Sequence, residues 1–399
     1  MKGISVCIRL SVVFLLMIWT ITAQAFSEES LLLGQYRQLR AFELDGQAAK
    51  LENFQIKHDS INITLTGTVF FAKPIAGKVY GAVFIGTGRV RSEPVMIFER
   101  ESIQRFLKSD VIDENFKKAV FRFTDDTYEL LAGNNVSQTV APSDAKNLAS
   151  ELDQRILHDT GLNLSARMLL AIVGNDTPGF FFAQFDGGDR GRFVSLIDHQ
   201  ARVPSSIFDI NGGEKGLFLK YQDELLGYDI WTAFYDQEDM KRGTAVYSDA
   251  FDIVSVPLYR MEIDLTKPGD LVRIESELET VALKDGVRII PMQLNEGLSV
   301  YENERQKKGM RVLSASLKDG TPVEFVQDPM ETGFSLLLPS ALKREEHTVI
   351  KIKLEGKDAL WTWGYGYHFP RSTTTWYPRH GYLARSRYAT ITRGIVWLP

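Results

Sequence analysis

Between Phe26 and Arg40 the apolar residues Leu31, Leu32, Tyr36 and Leu39 return every three or four positions, which predicts a helix with one buried face. The period then drops to two. Ile61, Ile63, Leu65, Val69 and Phe71 fall on one side of an extended segment and Thr64, Thr66 and Thr68 on the other, which predicts a half-buried strand. Lys78 to Arg91 reads as a second strand closed by glycines. Helical spacing returns from Ser102 to Lys118 through Ile103, Phe106, Leu107, Val111 and Phe116. Ser143 to His158 predicts a further helix, with Ala145, Leu148, Ala149, Leu152 and Ile156 as its stripe, Ser143 as N-cap and Gly161 just past its end. Phe180 to Phe185 and Phe193 to Ile197 flank Asp186-Gly187-Gly188-Asp189-Arg190-Gly191, a hairpin signal with a loop longer than two residues. Strands near Leu217 to Tyr221 and Asp229 to Tyr235 complete a mixed region with more strand than helix.

The polar run Asp236 to Gly243 reads as a linker or exposed turn, and beyond it the pattern is almost entirely β. Tyr259, Met261, Ile263 and Leu265 alternate, as do Phe334, Leu336 and Leu338, then Ile350, Ile352 and Leu354. Turn signals at Lys267-Pro268-Gly269-Asp270, Lys284-Asp285-Gly286 and Lys318-Asp319-Gly320 separate them. The expected class is therefore mainly β: a leading mixed α+β domain over 26–245, then an antiparallel β-sandwich or saddle-like domain over 250–399.

Residues 1–25 carry a different signal. Lys2 and Arg9 precede the apolar run Leu10 to Ile21, and Ala23-Gln24-Ala25 offers a small-x-small cleavage pattern. This mostly apolar stretch of 12 residues falls short of the roughly 20 that a membrane-spanning helix needs, so a cleaved signal peptide, with no stable membrane anchor afterwards, is expected, the rival reading being an uncleaved anchor. The expected location is periplasmic or secreted. The one cysteine, Cys7, leaves with the leader, so the mature chain has none for a disulfide. A formal net charge of -5 over 399 residues, with no basic stripe, argues against nucleic acid as partner.

Hydrolase motifs are missing. The histidines at 58, 158, 199, 347, 368 and 380 include no pair at the spacing of H-E-x-x-H, and none is followed by Glu. Each reads as a surface or loop residue, and no metal site is expected. There is no G-x-S-x-G elbow. Ser143-x-x-Lys146 and Ser340-x-x-Lys343 match S-x-x-K without a K-T-G partner and are attributed to chance. Gly86-Thr87-Gly88 follows a strand but has Arg91 where a dinucleotide loop needs glycine, so it reads as a turn. Asp186 and Asp189 make too poor an oxygen cage for calcium and read as hairpin residues. No catalytic residue and no cofactor is assigned.

One constellation stands out. Trp361, Trp363, Tyr365, Tyr367 and Phe369 occupy strictly alternate positions, with Thr362, Gly364, Gly366 and His368 between them. In a single extended strand, five rings share one face. They serve either as a platform for a sugar ring or peptide side chain, or as a sheet face packed in a core. Glycines on the opposite face allow close approach by a backbone or ligand.

The run Tyr259 to Thr266, then Ile274 to Leu278, Gly286 to Leu294 and Leu298-Ser299-Val300, followed by Thr375-Trp376-Tyr377-Pro378, resembles a known β-domain. It is similar to the saddle-shaped N-terminal domain of zinc aminopeptidases of the membrane alanyl aminopeptidase (aminopeptidase N) family. Ala119 to Tyr128 resembles the extra leading domain of bacterial exported members, so the likeness covers roughly residues 30–385. The resemblance implies a scaffold forming one wall of a peptide cleft, in a family whose zinc and catalytic Glu belong to a following catalytic domain. None of those catalytic residues maps onto this chain. Zinc is expected only in a complete family member. Arg385 to Pro399 fits the pattern poorly, and a truncated product is the expectation. The alternative function is an exported β-sandwich binding module that takes carbohydrate or peptide on the Trp361–Phe369 face.

Overall fold

Alternation of apolar and polar positions dominates the chain, and the fold it produces is mainly β. The computed structural model describes residues 30–133, 136–200, 214–222, 228–245, 252–267, 270–295, 309–357, 360–364, 366–370 and 375–380. The expected leader at 1–25, the stretch 246–250 between the two expected domains and the ending from Arg385 to Pro399 lie outside those residues.

The leading unit opens with helix α1 (Leu31–Ala41), capped by Ser30, whose Oγ accepts the Leu33 N–H at 3.3 Å. Leu32, Tyr36 and Leu39 form its buried face, as their spacing predicts, but Leu31, expected on the same face, is exposed at the first turn. A nine-stranded antiparallel sheet follows, in the order β5-β1-β2-β3-β4-β6-β7-β8-β9. Its strands are β1 (Leu44–His58), β2 (Ile61–Ala72), β3 (Gly81–Ser92), β4 (Ile112–Phe123), β5 (Ser137–Gln138), β6 (Phe180–Asp186), β7 (Arg192–Asp198), β8 (Glu214–Tyr221) and β9 (Tyr228–Tyr235). Apart from β5, which extends the edge at β1, each strand pairs with its neighbour in sequence, so the sheet is a meander.

Helices α2 (Ile97–Leu107), α3 (Thr127–Ala132), α4 (Ser143–Thr160) and α5 (Leu164–Val173) are inserted between strands. Phe180, Phe181, Phe182, Ala183 and Phe185 of β6 are all buried, so this central strand is covered on both faces. Part of that cover is the sheet itself. It curls until the β1–β2 turn reaches the far end of β9: the His58 ring stacks on Phe181 at 3.8 Å, and the Gln237 N–H donates to Asp59 Oδ1 at 2.8 Å. On the helical side, Arg122 of β4 is almost fully buried. It donates to Asp153 Oδ1 at 2.8 Å and to the Leu39 carbonyl at 2.9 Å, and its guanidinium lies 4.3 Å from the Phe42 ring centroid. A single side chain thus ties the sheet to α1 and α4.

Four local expectations are corrected here. The helix expected over Ser102–Lys118 is α2, which starts earlier and stops at Lys108, where φ is 58° and the N–H closes on Gln104 O. Phe116 lies in β4, because pairing of Ile112–Phe116 with β3 outweighs a local period of three to four. Gly86-Thr87-Gly88 is not a turn but the middle of β3, at a register shift against β4. Any Cβ on Gly88 would sit 2.3 Å from the Phe116 ring, and one on Gly86 would sit 2.3 Å from Thr66 O, so these glycines permit close packing. Pro142 holds the N-cap position of α4 and Ser143 is its first helical residue, without a side-chain cap bond; Gly161 ends it at φ 75°, as expected. Asp236–Gly243 contains a short helix, α6 (Gln237–Arg242), with Asp236 Oδ1 accepting the Glu238 and Asp239 N–H groups.

The second unit is a sandwich of two antiparallel sheets, β10-β11-β16-β13 and β12-β15-β14. The strands are β10 (Val254–Lys267), β11 (Leu271–Ala282), β12 (Val287–Gln293), β13 (Arg311–Leu317), β14 (Glu324–Val326), β15 (Gly333–Leu342) and β16 (His347–Gly356). Ile274, Leu278, Ile350, Ile352 and Leu354 from one sheet and Ile289, Ile290, Phe334, Leu336 and Leu338 from the other are buried.

The two units meet through polar groups. Arg40 pairs with Asp328 at 2.7 Å, and Asn163 Nδ2 donates to both Tyr36 Oη at 3.0 Å and Glu331 Oε2 at 2.9 Å. The Thr332 N–H donates to the carbonyl of Gly161 at 3.1 Å, and Ser30 bonds Glu324. Burial pushes the Glu331 carboxyl up to about 8 against the opposing Asn163 and Asp328 N–H bonds.

Candidate functional site

The aromatic run divides in two. Leu360–Trp363 is β17 and Tyr367–Pro370 is β18, joined at a turn in which Gly366 has φ 81°. The expected single strand is therefore a hairpin, because a backbone with φ near 80° cannot stay extended and glycine accepts it without strain. Register sets Trp361 opposite Phe369 and Trp363 opposite Tyr367, so four of the five alternate positions still meet, as cross-strand pairs. Tyr365 lies outside the described residues. Tyr367 is 69% exposed, so at least this ring is available to a ligand rather than spent on a core.

The chain beyond the ribbon is fastened to the sandwich. Thr375 O accepts the Asn295 N–H at 2.7 Å, and Gln293 and Arg379 exchange backbone hydrogen bonds at 2.7 and 3.2 Å. Arg379 adds two side-chain bonds to Gln293 Oε1, at 2.7 and 3.1 Å. His380 Nδ1 lies 2.8 Å from Pro291 O, which fixes the proton on that nitrogen. Tyr377 meets the Tyr259 ring edge-on at 5.9 Å, and burial raises the Tyr259 hydroxyl to about 12. Thr375–His380 is thus fastened along the β12 edge of the sandwich.

A second polar constellation was not singled out from the sequence. Where the leading sheet curls on itself, His58 Nε2 lies 3.1 Å from Thr127 Oγ1 and Nδ1 lies 3.4 Å from Asp125 Oδ2. The Thr127 hydroxyl donates to Asp125 Oδ1 at 2.6 Å, so the proton on the His58–Thr127 contact belongs to Nε2. Burial pulls the His58 imidazole below its usual range, opposed by Asp125 and Asp126. His199 Nδ1 lies 3.0 Å from Asp236 Oδ2, and this bond, with backbone N–H donors, holds the Asp236 carboxyl at about 2. Burial raises Asp59, whose Oδ2 has no hydrogen-bond partner.

His58 closes β1 and is largely buried in the seam, so the expectation that every histidine is a surface or loop residue is corrected at that position; His199 lies in the turn after β7. Their signal, an isolated His58-Asp59 step and an isolated Asp198-His199 step, has no local spacing to betray it. The cluster presents no nucleophile, since Thr127 is fully buried and its proton is committed to Asp125. Among the described residues no group of three or more His, Cys, Asp or Glu side chains could hold a metal ion, and the chain contains no H-E-x-x-H. The residues described do not fit a zinc centre.

No family model matches the chain, and no curated protein does. Solved structures share a limited stretch with it. The M1 zinc metallopeptidase from Deinococcus radiodurans is 20% identical over 27% of this chain and 21% of its own, with a TM-score of 0.21. A mutant of that peptidase bound to a Tyr-Ser-Ala substrate is 20% identical over 29% of this chain and 23% of its own, with a TM-score of 0.21. A two-domain M1 zinc metallopeptidase mutant bound to L-arginine is 18% identical over 30% and 25%, with a TM-score of 0.22. The matched stretch is a quarter or less of each of those chains.

Proposed function

We propose that this chain is a non-catalytic scaffold that forms one wall of a peptide-binding cleft, as in the N-terminal part of an exported zinc aminopeptidase of the aminopeptidase N type. The observation that supports the reading is the β17–β18 hairpin, which pairs the alternate aromatic positions 361 with 369 and 363 with 367 and leaves Tyr367 exposed. The Thr375–His380 segment that follows in sequence is bonded to Gln293 and Asn295 of the sandwich, which itself docks on the leading unit through polar bonds. The resemblance of Tyr259–Thr266, Ile274–Leu278 and Thr375–Pro378 to the family pattern supplies the substrate class.

In this reading, a zinc-bearing catalytic part belongs to polypeptide outside these 399 residues, and zinc enters only with it. The exported location rests on the pattern of residues 1–25. Among the described residues no helix is long and apolar enough to cross a membrane. The purified protein is expected to hold no stoichiometric zinc and to release no product from alanyl anilides. One zinc per chain, with turnover lost on chelation, contradicts the reading.

The exposure of Tyr367 also favours a second reading, a carbohydrate-binding module on the same ribbon. Retention on insoluble polysaccharide that Trp361→Ala or Trp363→Ala abolishes, with the fold intact, selects it.

A further inference from the structure

Between the end of α1, the β2–β3 connection and β4, the leading unit holds a cavity of about 410 Å³, within the size range of small-molecule sites. Leu39, Phe42, Ala72 and Ile75 are buried and give it an apolar wall. The space opens because α1 stops there. Phe42 takes φ 40° and turns the chain toward β1, and its ring packs so close to Gly81 that a Cβ at that position would sit 2.6 Å away.

Two donors in the lining lack a partner. Arg122, 1% exposed, forms the buried end of the cavity. Its Nη1 is taken by Asp153 and its Nη2 by the Leu39 carbonyl, and one face of the guanidinium lies over the Phe42 ring. Its Nε has no hydrogen-bond partner among the described residues. The Tyr80 hydroxyl makes no hydrogen bond among them either, and burial raises it above its ordinary value, so it stays protonated and able to donate. Buried donors in folded proteins are nearly always paired, so the orphaned guanidinium nitrogen calls for an acceptor.

Charge narrows the acceptor to an anion. Asp153 also takes the Ser165 hydroxyl, and despite its carboxylate burial still pulls the Arg122 guanidinium below its ordinary value. The carboxylate in the lining, Glu43, is paired with Lys73. A carboxylate accepts charge-assisted bonds from a guanidinium and a further bond from a phenol, whereas water meets the donors and gains nothing from the apolar wall. We propose that this cavity binds a small organic monocarboxylate, with its charged end toward Arg122 and Tyr80 and its apolar body along Leu39, Phe42, Ala72 and Ile75. The site stands independently of the aromatic ribbon and of the zinc aminopeptidase reading.

The test follows 4-fluorophenylacetate by fluorine NMR with the full chain carrying Cys7→Ser. A nitroxide on Ala41→Cys, at the cavity rim, should broaden the line of the bound probe. One on Asn62→Cys should not, since Asn62 lies toward the opposite end of β2 from Ala72, roughly 30 Å away at about 3.3 Å per residue. The neutral 4-fluorophenylacetamide should bind at least five-fold more weakly than the acid. Tyr80→Phe should weaken the acid at least three-fold with an unchanged melting temperature. Arg122 is left in place, because it ties the sheet to α1 and α4. Absence of binding at millimolar probe, an amide that binds as well as the acid, or an affinity indifferent to Tyr80→Phe overturns the proposal. Equal broadening from the two nitroxides does so as well, by placing the probe elsewhere.

Discussion

Glu331 shows how much a single burial decides. It lies at the junction of the two units, where Asn163 and the Asp328 N–H share its Oε2 while burial drives its carboxyl up to about 8. An unfolded chain releases that proton near the ordinary value of 4.5, whereas the folded chain holds it to about 8. Between those values the native state binds the extra proton, so stability falls as pH rises. The contribution is full below 4.5 and gone above about 8. In Glu331→Gln the amide keeps the shape and cannot ionise, so urea midpoints of wild type and variant should agree near pH 5. The unfolding free energies from those titrations should part by about 3–5 kcal/mol as pH approaches 8.5, with the wild type the weaker. Parallel pH profiles would show that Glu331 does not titrate in this window.

Elements were legible where the pattern is local and hidden where it is not. Periodicity exposes β2, α1, α4 and the β6–β7 hairpin because each buries one regular face. Two of the elements that escaped it show why. β1 is interrupted by two register shifts, after Leu44 and after Leu51, so its alternation slips out of phase. α5 is buried on nearly every side, from Leu164 to Ala171, and has no amphipathic stripe to read. The glycines of β3 illustrate the same limit, since the need for them lies in Phe116, 28 residues from Gly88. Gly88→Val is expected to cost about 1–3 kcal/mol or more through overpacking, and pairing it with Phe116→Ala should recover part of the loss. Denaturation of the two single variants and the double variant reads the coupling directly. Strictly additive losses would remove Phe116 as the reason for the glycine.

At the scale of the whole molecule, the sequence announced the candidate ribbon but not its shape. Alternation over 361–369 is the same for one strand as for two strands joined at an odd-length turn, and only Gly366 at φ 81° separates them. The junction between the units was not legible at all, because Arg40, Asn163 and Glu331 gain meaning only when the fold brings them together. In the proposed reading, the ligand meets the exposed Tyr367 of the β17–β18 hairpin. The most direct measurement is a calorimetric titration of the full chain with an unblocked alanine-rich hexapeptide, repeated with Tyr367→Ala and with a soluble cello-oligosaccharide. Peptide should bind at micromolar to millimolar strength, weaken at least five-fold in Tyr367→Ala with an unchanged melting temperature, and outcompete the sugar. No heat from the peptide, or peptide binding indifferent to Tyr367, contradicts the account of the ribbon as a peptide-facing wall.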